Sequence, residues 1–104
     1  MKLSEPQWKV YNIVTQIPVG KVLTYQKVAK LARVKSPRVV GNVLHNNEDS
    51  ARIPCHRVVH RDGTLAINYK FGGIKAQEDK LRNEGVEIID GKVNLKKHLW
   101  QPTL

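Results

Sequence analysis

The residue types best suited to covalent chemistry lie together at residues 53–58, a segment that contains Cys55, the only cysteine of the chain. His56 and Arg57 follow the cysteine directly, and a proline precedes it. Cysteine reacts as its thiolate, and because a free thiol has a pKa of about 8.5, it needs a nearby base or positive charge at neutral pH. A histidine and an arginine provide one of each. The segment therefore predicts a cysteine nucleophile assisted by a histidine.

The residues alone leave other interpretations of Cys55 open. A lone cysteine in a small protein is more often a buried apolar side chain than a nucleophile. If the segment is extended, neighbouring side chains point to opposite faces, and His56 reaches the thiol only across a bend or through a water. The carboxylate that would orient the imidazole is also undetermined. Four candidates are present: Glu48, Asp49, Glu78 and Glu84.

The histidines of the chain do not indicate a metal centre. Zinc sites of the cysteine-rich type need several thiolates, and one is available here. The four histidines, His45, His56, His60 and His98, lack zinc-finger spacing. The sequence therefore does not predict a metal centre.

The positive charge of the chain is concentrated in one block. The whole chain has eighteen Lys and Arg against nine Asp and Glu, a net charge of +9. Residues 21–61 contain nine of the basic residues and two of the acidic ones, which gives this block a net charge of +7. A localised basic surface suits a polyanion such as DNA. The alternative is a basic surface that serves solubility alone.

Length and composition predict one domain spanning residues 1–104, with a single small core and no disulfide. The first residues have no apolar run like that of a signal peptide, and no segment is apolar over the length of a membrane span. A free thiol persists most readily in a reducing compartment. We therefore expect a cytoplasmic protein (nucleoid-associated, or nuclear in a eukaryote) that acts as a monomer without membrane contact.

Capping residues and apolar spacing predict a first helix near the N-terminus. Ser4 and Gln7 form a capping-box pattern, and apolar residues follow at helical spacing as far as Ile17. The aromatic side chains of this helix, Trp8 and Tyr11, are predicted to pack in the core and not to stack on bases.

The next two predicted helices form a helix-turn-helix pattern. Thr24 is the predicted cap of a helix over residues 25–33, and Ser36 with Pro37 begins a third helix over residues 36–45. Both helices are basic and are joined by a short turn, which predicts that the third is a recognition helix. Its N-terminus offers free backbone N–H groups to a phosphate or a base edge.

The rest of the chain predicts small β elements and a fourth helix. A strand and a turn within residues 58–63 predict a small hairpin, or wing. A fourth helix is expected over residues 74–84, with Ile74 and Leu81 facing the core, and an Asp-Gly turn at residues 90–91 predicts a second hairpin. The predicted fold is therefore mainly α with small β elements. It is a winged helix-turn-helix with a three-helix DNA-binding core, an active-site loop, a fourth helix and a short C-terminal hairpin.

Residues 53–59, Ile-Pro-Cys-His-Arg-Val-Val, resemble the active-site signature of the O6-alkylguanine-DNA alkyltransferases, which are single-use DNA repair proteins. The resemblance covers about residues 7–85, with the family's order of elements. Residues 19–26 resemble the family's segment around a phosphate-rotating tyrosine, here Tyr25. Arg38 falls at the position of the family's arginine finger.

The resemblance also implies a catalytic set. Asn47, eight residues before the cysteine, matches the family's hinge asparagine, and Glu84 matches the glutamate that pairs with the histidine. His56, oriented by Glu84 and acting through a water, would deprotonate Cys55, whose thiolate would take the alkyl group from O6 in one displacement. Because a thioether does not hydrolyse, each molecule would act once and without a cofactor.

The partner that the resemblance implies is double-stranded DNA containing O6-alkylguanine. The recognition helix would enter the minor groove, Arg38 would intercalate where the damaged guanine leaves, and Tyr25 would press on the adjacent phosphate to rotate the nucleotide out. The implied DNA contacts are Tyr25, Gln26, Ser36, Pro37, Arg38, Gly41 and Arg61. The implied alkylguanine pocket consists of Leu44, Val58 and Tyr69.

The chain departs from the family pattern in the loop at residues 63–73. Lys70 and Phe71 stand between a tyrosine and paired glycines, where they are expected to add bulk to a pocket wall. His45 and Asn46 also replace a smaller, more basic pair. The zinc site of some members lies in an N-terminal domain without a counterpart in this sequence, so no zinc is expected.

Residues 93–95 and 99–102 resemble the alkyltransferase-like proteins. Those proteins bind alkylated guanine, bend DNA and recruit nucleotide excision repair, but they lack the reactive cysteine. Two functions follow: alkyl transfer to Cys55, which we favour because the implied catalytic set is present together, and damage sensing with nucleotide excision repair proteins as partners. A third candidate is a transcription regulator that uses the same helix-turn-helix on undamaged DNA.

Overall fold

Five α-helices and four short strands make up the fold within residues 3–102, the part of the chain that the computed structural model describes. The first three helices pack against one another: α1 (Glu5–Val14), α2 (Tyr25–Ala32) and α3 (Pro37–His45). The later helices are α4 (Gly73–Asn83) and α5 (Leu95–His98). The strands are β1 (Leu23–Thr24), β2 (Val58–Val59), β3 (Ile88–Ile89) and β4 (Lys92–Val93). The mainly α fold with small β elements, built on a helix-turn-helix, is confirmed.

The predicted starts of the first three helices are confirmed, because local chemistry fixes each one. The Ser4 side chain accepts the backbone N–H of Gln7, and the Gln7 side chain accepts the Ser4 N–H at 2.9 Å. Thr24 accepts the Lys27 N–H at the start of α2. Ser36 precedes α3 in an extended conformation without a side-chain cap, and the proline after it has a φ already suited to a first helical turn.

The main core lies between α1, α2 and α3, and one predicted core residue lies outside it. Val10, Tyr11 and Val14 are buried, and the Tyr11 hydroxyl donates to the Val43 carbonyl at 3.2 Å. Trp8 is 50% exposed, so the prediction that it packs in the core is wrong. The buried stripe of α1 is centred on Val10 and Val14, and Trp8 lies roughly 140° from it around the helix.

The strand that follows the active-site segment pairs with a distant partner and not within a hairpin. Strand β2 runs parallel to β1, with Leu23 opposite Val58. The turn at residues 61–63 is present, but Thr64 after it forms an antiparallel bridge with Lys92 of β4. The predicted wing hairpin is therefore wrong. Both strands are buried, and a parallel pair is the arrangement suited to strands that are covered on both faces.

Helix α4 faces the protein through Gln77 and Leu81, which are both fully buried and lie one turn apart. Leu81 faces the core as predicted. Ile74 is 41% exposed, so its predicted core position is wrong. It lies in the first turn of α4, before the buried stripe begins, and the polar Gln77 takes the inward position instead.

The C-terminal segment folds back beside β1. Strands β3 and β4 form the predicted hairpin around Asp90 and Gly91, whose φ angles of 53° and 76° suit a tight two-residue turn. Helix α5 follows, which the sequence patterns did not indicate. The Val22 N–H then donates to the His98 carbonyl at 2.9 Å, and the Trp100 N–H donates to the Val22 carbonyl at 2.8 Å. Within residues 3–102, none of the helices combines the length and apolar character needed to cross a membrane.

Candidate active site and DNA interface

Cys55 begins a single turn of 3₁₀ helix, Cys55–Arg57, so the segment is bent where an extended strand was one possibility. The cysteine is buried, with 5% of its surface exposed. Its Sγ lies 3.5 Å from Nδ2 of Asn47, and the same Nδ2 donates to the Ile53 carbonyl at 3.0 Å. The fully buried amide of Asn47 thus holds both the thiol and the backbone that leads to it.

Glu84 caps the C-terminus of α4 and binds both basic residues of the active-site turn. Its Oε2 lies 3.0 Å from Nε2 of His56. The Arg57 guanidinium donates to both carboxylate oxygens, at 2.9 and 2.7 Å, and to the Ile17 carbonyl at 2.7 Å. A bidentate ion pair of this kind fixes geometry as well as charge. Of the four carboxylates considered from the residues alone, Glu84 is therefore the one that meets the histidine.

The hydrogen bond to Glu84 sets the tautomer of His56. A carboxylate accepts hydrogen bonds, so Nε2 carries the hydrogen and Nδ1 of the neutral ring holds a lone pair. Nδ1 is buried and has no hydrogen-bond partner among the described residues. It is therefore the atom of this ring that can accept a proton.

Burial decides the resting protonation of the site. It raises the pKa of Cys55, although the hydrogen bond from Asn47 opposes this change. Burial likewise lowers the pKa of His56, against the opposing effect of Glu84. Burial also acts to raise the pKa of Glu84, but the hydrogen bonds from Arg57 and His56 outweigh it and hold that pKa below its usual value. The resting site at neutral pH is a thiol, a neutral imidazole and a carboxylate.

A cavity of about 570 Å³ opens onto Cys55 and is bounded by α2, α3 and the loop after the active-site turn. We call it the first cavity. Seven of the residues predicted from the sequence line it: Tyr25, Pro37, Arg38, Gly41, Leu44, Cys55 and Tyr69. The structure therefore brings the predicted nucleophile, the recognition helix and most of the predicted pocket to one place.

Val58 does not line the first cavity, although the family resemblance implied that it is a pocket residue. Its side chain is fully buried in the main core. The carbonyls of His56 and Val58 accept hydrogen bonds from Nε2 of Gln77, at 3.1 and 3.0 Å. Oε1 of Gln77 accepts the Ala66 N–H at 2.8 Å. This buried amide ties the active-site turn and the loop after it to α4.

Sequence patterns missed part of the cavity wall. His60 lines the first cavity and lies against Tyr25, with 5.1 Å between the ring centroids. These two residues directly follow β2 and β1, so the parallel pairing of the strands brings them together. The remaining lining residues without an assigned site role are Asn42, His45, Asn46, Ala66 and Asn68.

Of the two inserted loop residues, Phe71 is directed away from the first cavity and Lys70 is not. Phe71 packs against the main core with its ring edge-on to Tyr69, at 5.9 Å between centroids, and it is not among the lining residues. Lys70 does line the cavity. The expectation of added bulk in the pocket wall therefore holds for Lys70 and is wrong for Phe71.

Two predicted DNA contacts, Gln26 and Arg61, lie at a second cavity of about 360 Å³. Lys27 and Lys30 of α2 add two positive charges to its wall. Ser36 is half-buried before α3 and lines neither cavity. Among the described residues, no group of three or more His, Cys, Asp or Glu is placed to hold a metal ion.

Fold and site together define a helix-turn-helix protein in which a basic recognition helix borders a cavity that ends on a buried cysteine. The chain belongs to the family described as 6-O-methylguanine DNA methyltransferase, DNA binding domain, whose sequence model matches residues 5–86. This is a DNA repair family, so the predicted family resemblance and the DNA-binding character of the protein are confirmed.

Two relatives and one solved structure show how far the likeness extends. The chain is 35% identical to alkyltransferase-like protein 1 of Schizosaccharomyces pombe, over 98% of this chain and 100% of that protein. It is 41% identical, over 82% of its length, to a methylated-DNA–protein-cysteine methyltransferase of Methanothermobacter thermautotrophicus, of which it spans 47%. The crystal structure of S. pombe Atl1 in complex with damaged DNA containing O6-carboxymethylguanine matches with a TM-score of 0.85 at 34% identity. That match covers 98% of this chain and 100% of the other. These likenesses support recognition of damaged DNA.

Proposed function

We propose that this protein repairs DNA by transferring the alkyl group of O6-alkylguanine to Sγ of Cys55, once per molecule. The observation that carries the proposal is the set of contacts around the thiol, with Asn47 on Sγ and Glu84 on His56. A cysteine beside an oriented histidine with an available base atom is the arrangement that activates a thiol nucleophile. Recognition of damage alone would not require it.

The DNA duplex would lie across α3, which borders the first cavity from Pro37 to His45. Arg38 is exposed at this border and would fill the space that the extruded guanine leaves in the stack. Burial raises the pKa of Tyr25 to about 12, so its phenol stays neutral beside a phosphate. A Cβ on Gly41 would meet no atom within 4 Å, so the packing of the protein does not require this glycine. Its small size instead suits the close approach of a DNA strand.

The phosphates of the duplex would continue over the second cavity. Gln26 and Arg61 line that cavity, and each directly follows a residue of the first one, Tyr25 and His60. The positive charges of Lys27 and Lys30 lie on the same wall. Contacts of this kind bind the backbone without reading sequence and position the duplex over the active site.

The chemical step is one displacement at the alkyl carbon. The thiol proton passes to Nδ1 of His56, directly or through a water, and Glu84 stabilises the imidazolium through Nε2. Sγ then forms a bond to the alkyl carbon as the bond from that carbon to O6 breaks. The guanine leaves as an anion, takes up one proton and is restored. The thioether on Cys55 is stable, so the molecule is consumed.

A second candidate function is damage sensing without transfer. Two observations favour it: the end-to-end likeness to alkyltransferase-like protein 1, and the burial that raises the pKa of Cys55. In this case the protein would hold the extruded base in the first cavity and act with nucleotide excision repair proteins.

Mass spectrometry after incubation with a duplex that contains one O6-methylguanine separates the two functions. Transfer predicts that the peptide carrying Cys55 gains one methyl group, and that a Cys55→Ser variant binds the same duplex without any gain. Tight binding to the modified duplex with an unmodified Cys55 peptide would reject transfer and favour sensing. An unmodified Cys55 peptide together with equal affinity for an unmodified duplex of the same sequence would reject both functions and favour a transcription regulator that binds undamaged DNA.

A further inference from the structure

Lys80 of α4 directs its ammonium group inward, toward the wall of the first cavity. Its Nζ donates a hydrogen bond to the hydroxyl of Tyr69 at 2.9 Å. The same Nζ lies 5.2 Å from the ring centroid of Tyr69 and 5.4 Å from that of Phe71. The cation is thus held by one hydroxyl and two aromatic rings, at distances typical of cation–π contacts.

The other cations of α4 behave differently. Lys75 pairs with Asp79 at 3.0 Å and Arg82 pairs with Glu78 at 3.0 Å, both on the outer surface of the helix. Lys80 is half-buried and has no carboxylate within 4.0 Å among the described residues. The contacts of its ammonium group are therefore with the hydroxyl and rings of Tyr69 and Phe71 and not with a carboxylate.

We propose that Lys80 is a positioning residue for the nucleophile: its ammonium holds the Tyr69 hydroxyl at the cavity wall and stabilises the thiolate of Cys55 when it forms. The thiolate would then be the missing counter-charge of Lys80. This role rests on the proposed function, because it presupposes that Cys55 reacts as a thiolate. The predicted effect of Lys80 on the reactivity of Cys55 does not depend on DNA.

Charge and hydrogen bonding around Cys55 support this role. Burial raises the pKa of the thiol, while the positive charge of Lys80 and the hydroxyl of Tyr69 act to lower it. The titratable groups that act on the thiol are the neighbouring His56, Tyr11 of α1, Tyr25 of α2, Tyr69 of the loop and Lys80 of α4. Four further charged or titratable residues line the same cavity: Arg38, His45, His60 and Lys70. Burial is the main cause that lowers the pKa of His56, and the charge of Lys80 acts in the same direction.

The role of Lys80 also accounts for the position of the Phe71 ring. Instead of filling the cavity, this side chain covers the ammonium on one side while the Tyr69 ring contacts it as well. A cation shielded from water exerts a stronger field on a nearby thiol than an exposed one does.

The test is the pH dependence of Cys55 alkylation by iodoacetamide in the whole protein without DNA. We expect Lys80→Met to slow the reaction at pH 7.5 roughly tenfold and to move the rate profile about one unit toward higher pH. Lys80→Arg should recover most of the rate, because it keeps the charge. Lys75→Met, which removes an exposed charge from the same helix, is the matched control and should leave the profile unchanged.

Two results would overturn the proposal. One is an unchanged profile in Lys80→Met, with thermal unfolding used to show that the variant is folded. The other is an equal shift in Lys75→Met, which would indicate a general charge effect. Because iodoacetamide reports on the thiol alone, a failure of methyl transfer from DNA would count against the proposed function and leave this result standing.

Discussion

At the scale of single residues, the chemistry depends on the different roles of the two ring nitrogens of His56. Nε2 is committed to Glu84 at 3.0 Å, while Nδ1 is buried without a partner among the described residues. The carboxylate that orients the ring is itself held by Arg57 through two hydrogen bonds. The proton acceptor is thus placed by interactions that leave its accepting atom available.

Replacing Glu84 by glutamine should slow methyl transfer about 10–100-fold, because an amide can orient the imidazole but does not stabilise its charged form. The measurement is the single-turnover rate constant with an O6-methylguanine duplex, corrected for the folded fraction. Glu78→Gln, which disturbs only a pair with Arg82 on the outer face of α4, is the control. If the rate constant of Glu84→Gln equals that of the protein without a substitution, Glu84 has no role in the mechanism.

Replacing Arg38 by alanine should weaken binding to the damaged duplex and reduce the dependence of affinity on salt. This side chain is exposed at the first cavity, so the free energy of unfolding should change by less than about 0.5 kcal/mol. Arg52→Ala removes the same charge from a side chain that is 88% exposed and lines neither cavity. Fluorescence anisotropy at several salt concentrations compares the two variants, and equal losses would contradict a specific role for Arg38.

At the scale of elements, α4 is the support of the active site. It contributes Gln77 to the turn at Cys55–Arg57, and its C-terminal cap is Glu84. Lys80 lies between these two positions on the same helix. A change in the placement of α4 would therefore alter the orientation of the base, the backbone of the nucleophile and the Tyr69 wall together.

Gln77→Leu should reduce the free energy of unfolding by about 3 kcal/mol or more, because it leaves three backbone groups without their hydrogen-bond partner. Urea denaturation at neutral pH measures the loss. The control is Lys75→Leu, a change to the same side chain at an exposed position of α4, where little effect is expected. A loss no larger than that of the control would show that the Gln77 amide is not a structural tie.

Local patterns predicted the helix starts and the Asp90–Gly91 hairpin because those features depend on residues a few positions apart. Ser4, Thr24 and Pro37 act on their own first turns, and the residues alone suffice. The parallel pairing of β1 with β2 joins segments far apart in the chain. The Tyr25–His60 contact therefore could not be predicted from local sequence patterns. For the same reason the residues alone did not decide which of four carboxylates orients His56, and the assignment of Glu84 depended on the family resemblance.

The inward positions of α4 were misjudged for a different reason. Hydrophobicity favoured Ile74 as a core residue, but the site requires a polar side chain facing inward at Gln77, where backbone groups of the active-site turn need partners. Lys80 could not be recognised either. In the sequence it is one of several charges on α4, and only the folded loop shows the two rings that receive it.

At the scale of the whole molecule, the buried site makes stability depend on pH. The folded-state pKa values of His56 and Glu84 lie below their ordinary values of 6.5 and 4.5. The unfolded chain therefore binds protons more readily than the folded protein, and stability present at neutral pH is lost as the pH falls. We expect the free energy of unfolding to decline from pH 6.5 downward, with a further loss below pH 4.5.

Urea denaturation at a series of pH values measures this decline. His56→Gln should remove the part of the decline that begins near pH 6.5 and leave the more acidic part in place. A His56→Gln profile that follows the unmodified protein throughout this range would contradict a neutral, buried His56.

In the proposed reaction, one alkyl group moves from guanine O6 to Cys55 and the protein is consumed. A titration with a duplex carrying O6-methylguanine tests it directly, with methylated protein counted by intact mass and restored guanine counted in the hydrolysed DNA. We expect both quantities to rise together and to stop at one equivalent per protein molecule. Persistence of O6-methylguanine in DNA that is fully bound by the protein would show that no alkyl group is transferred.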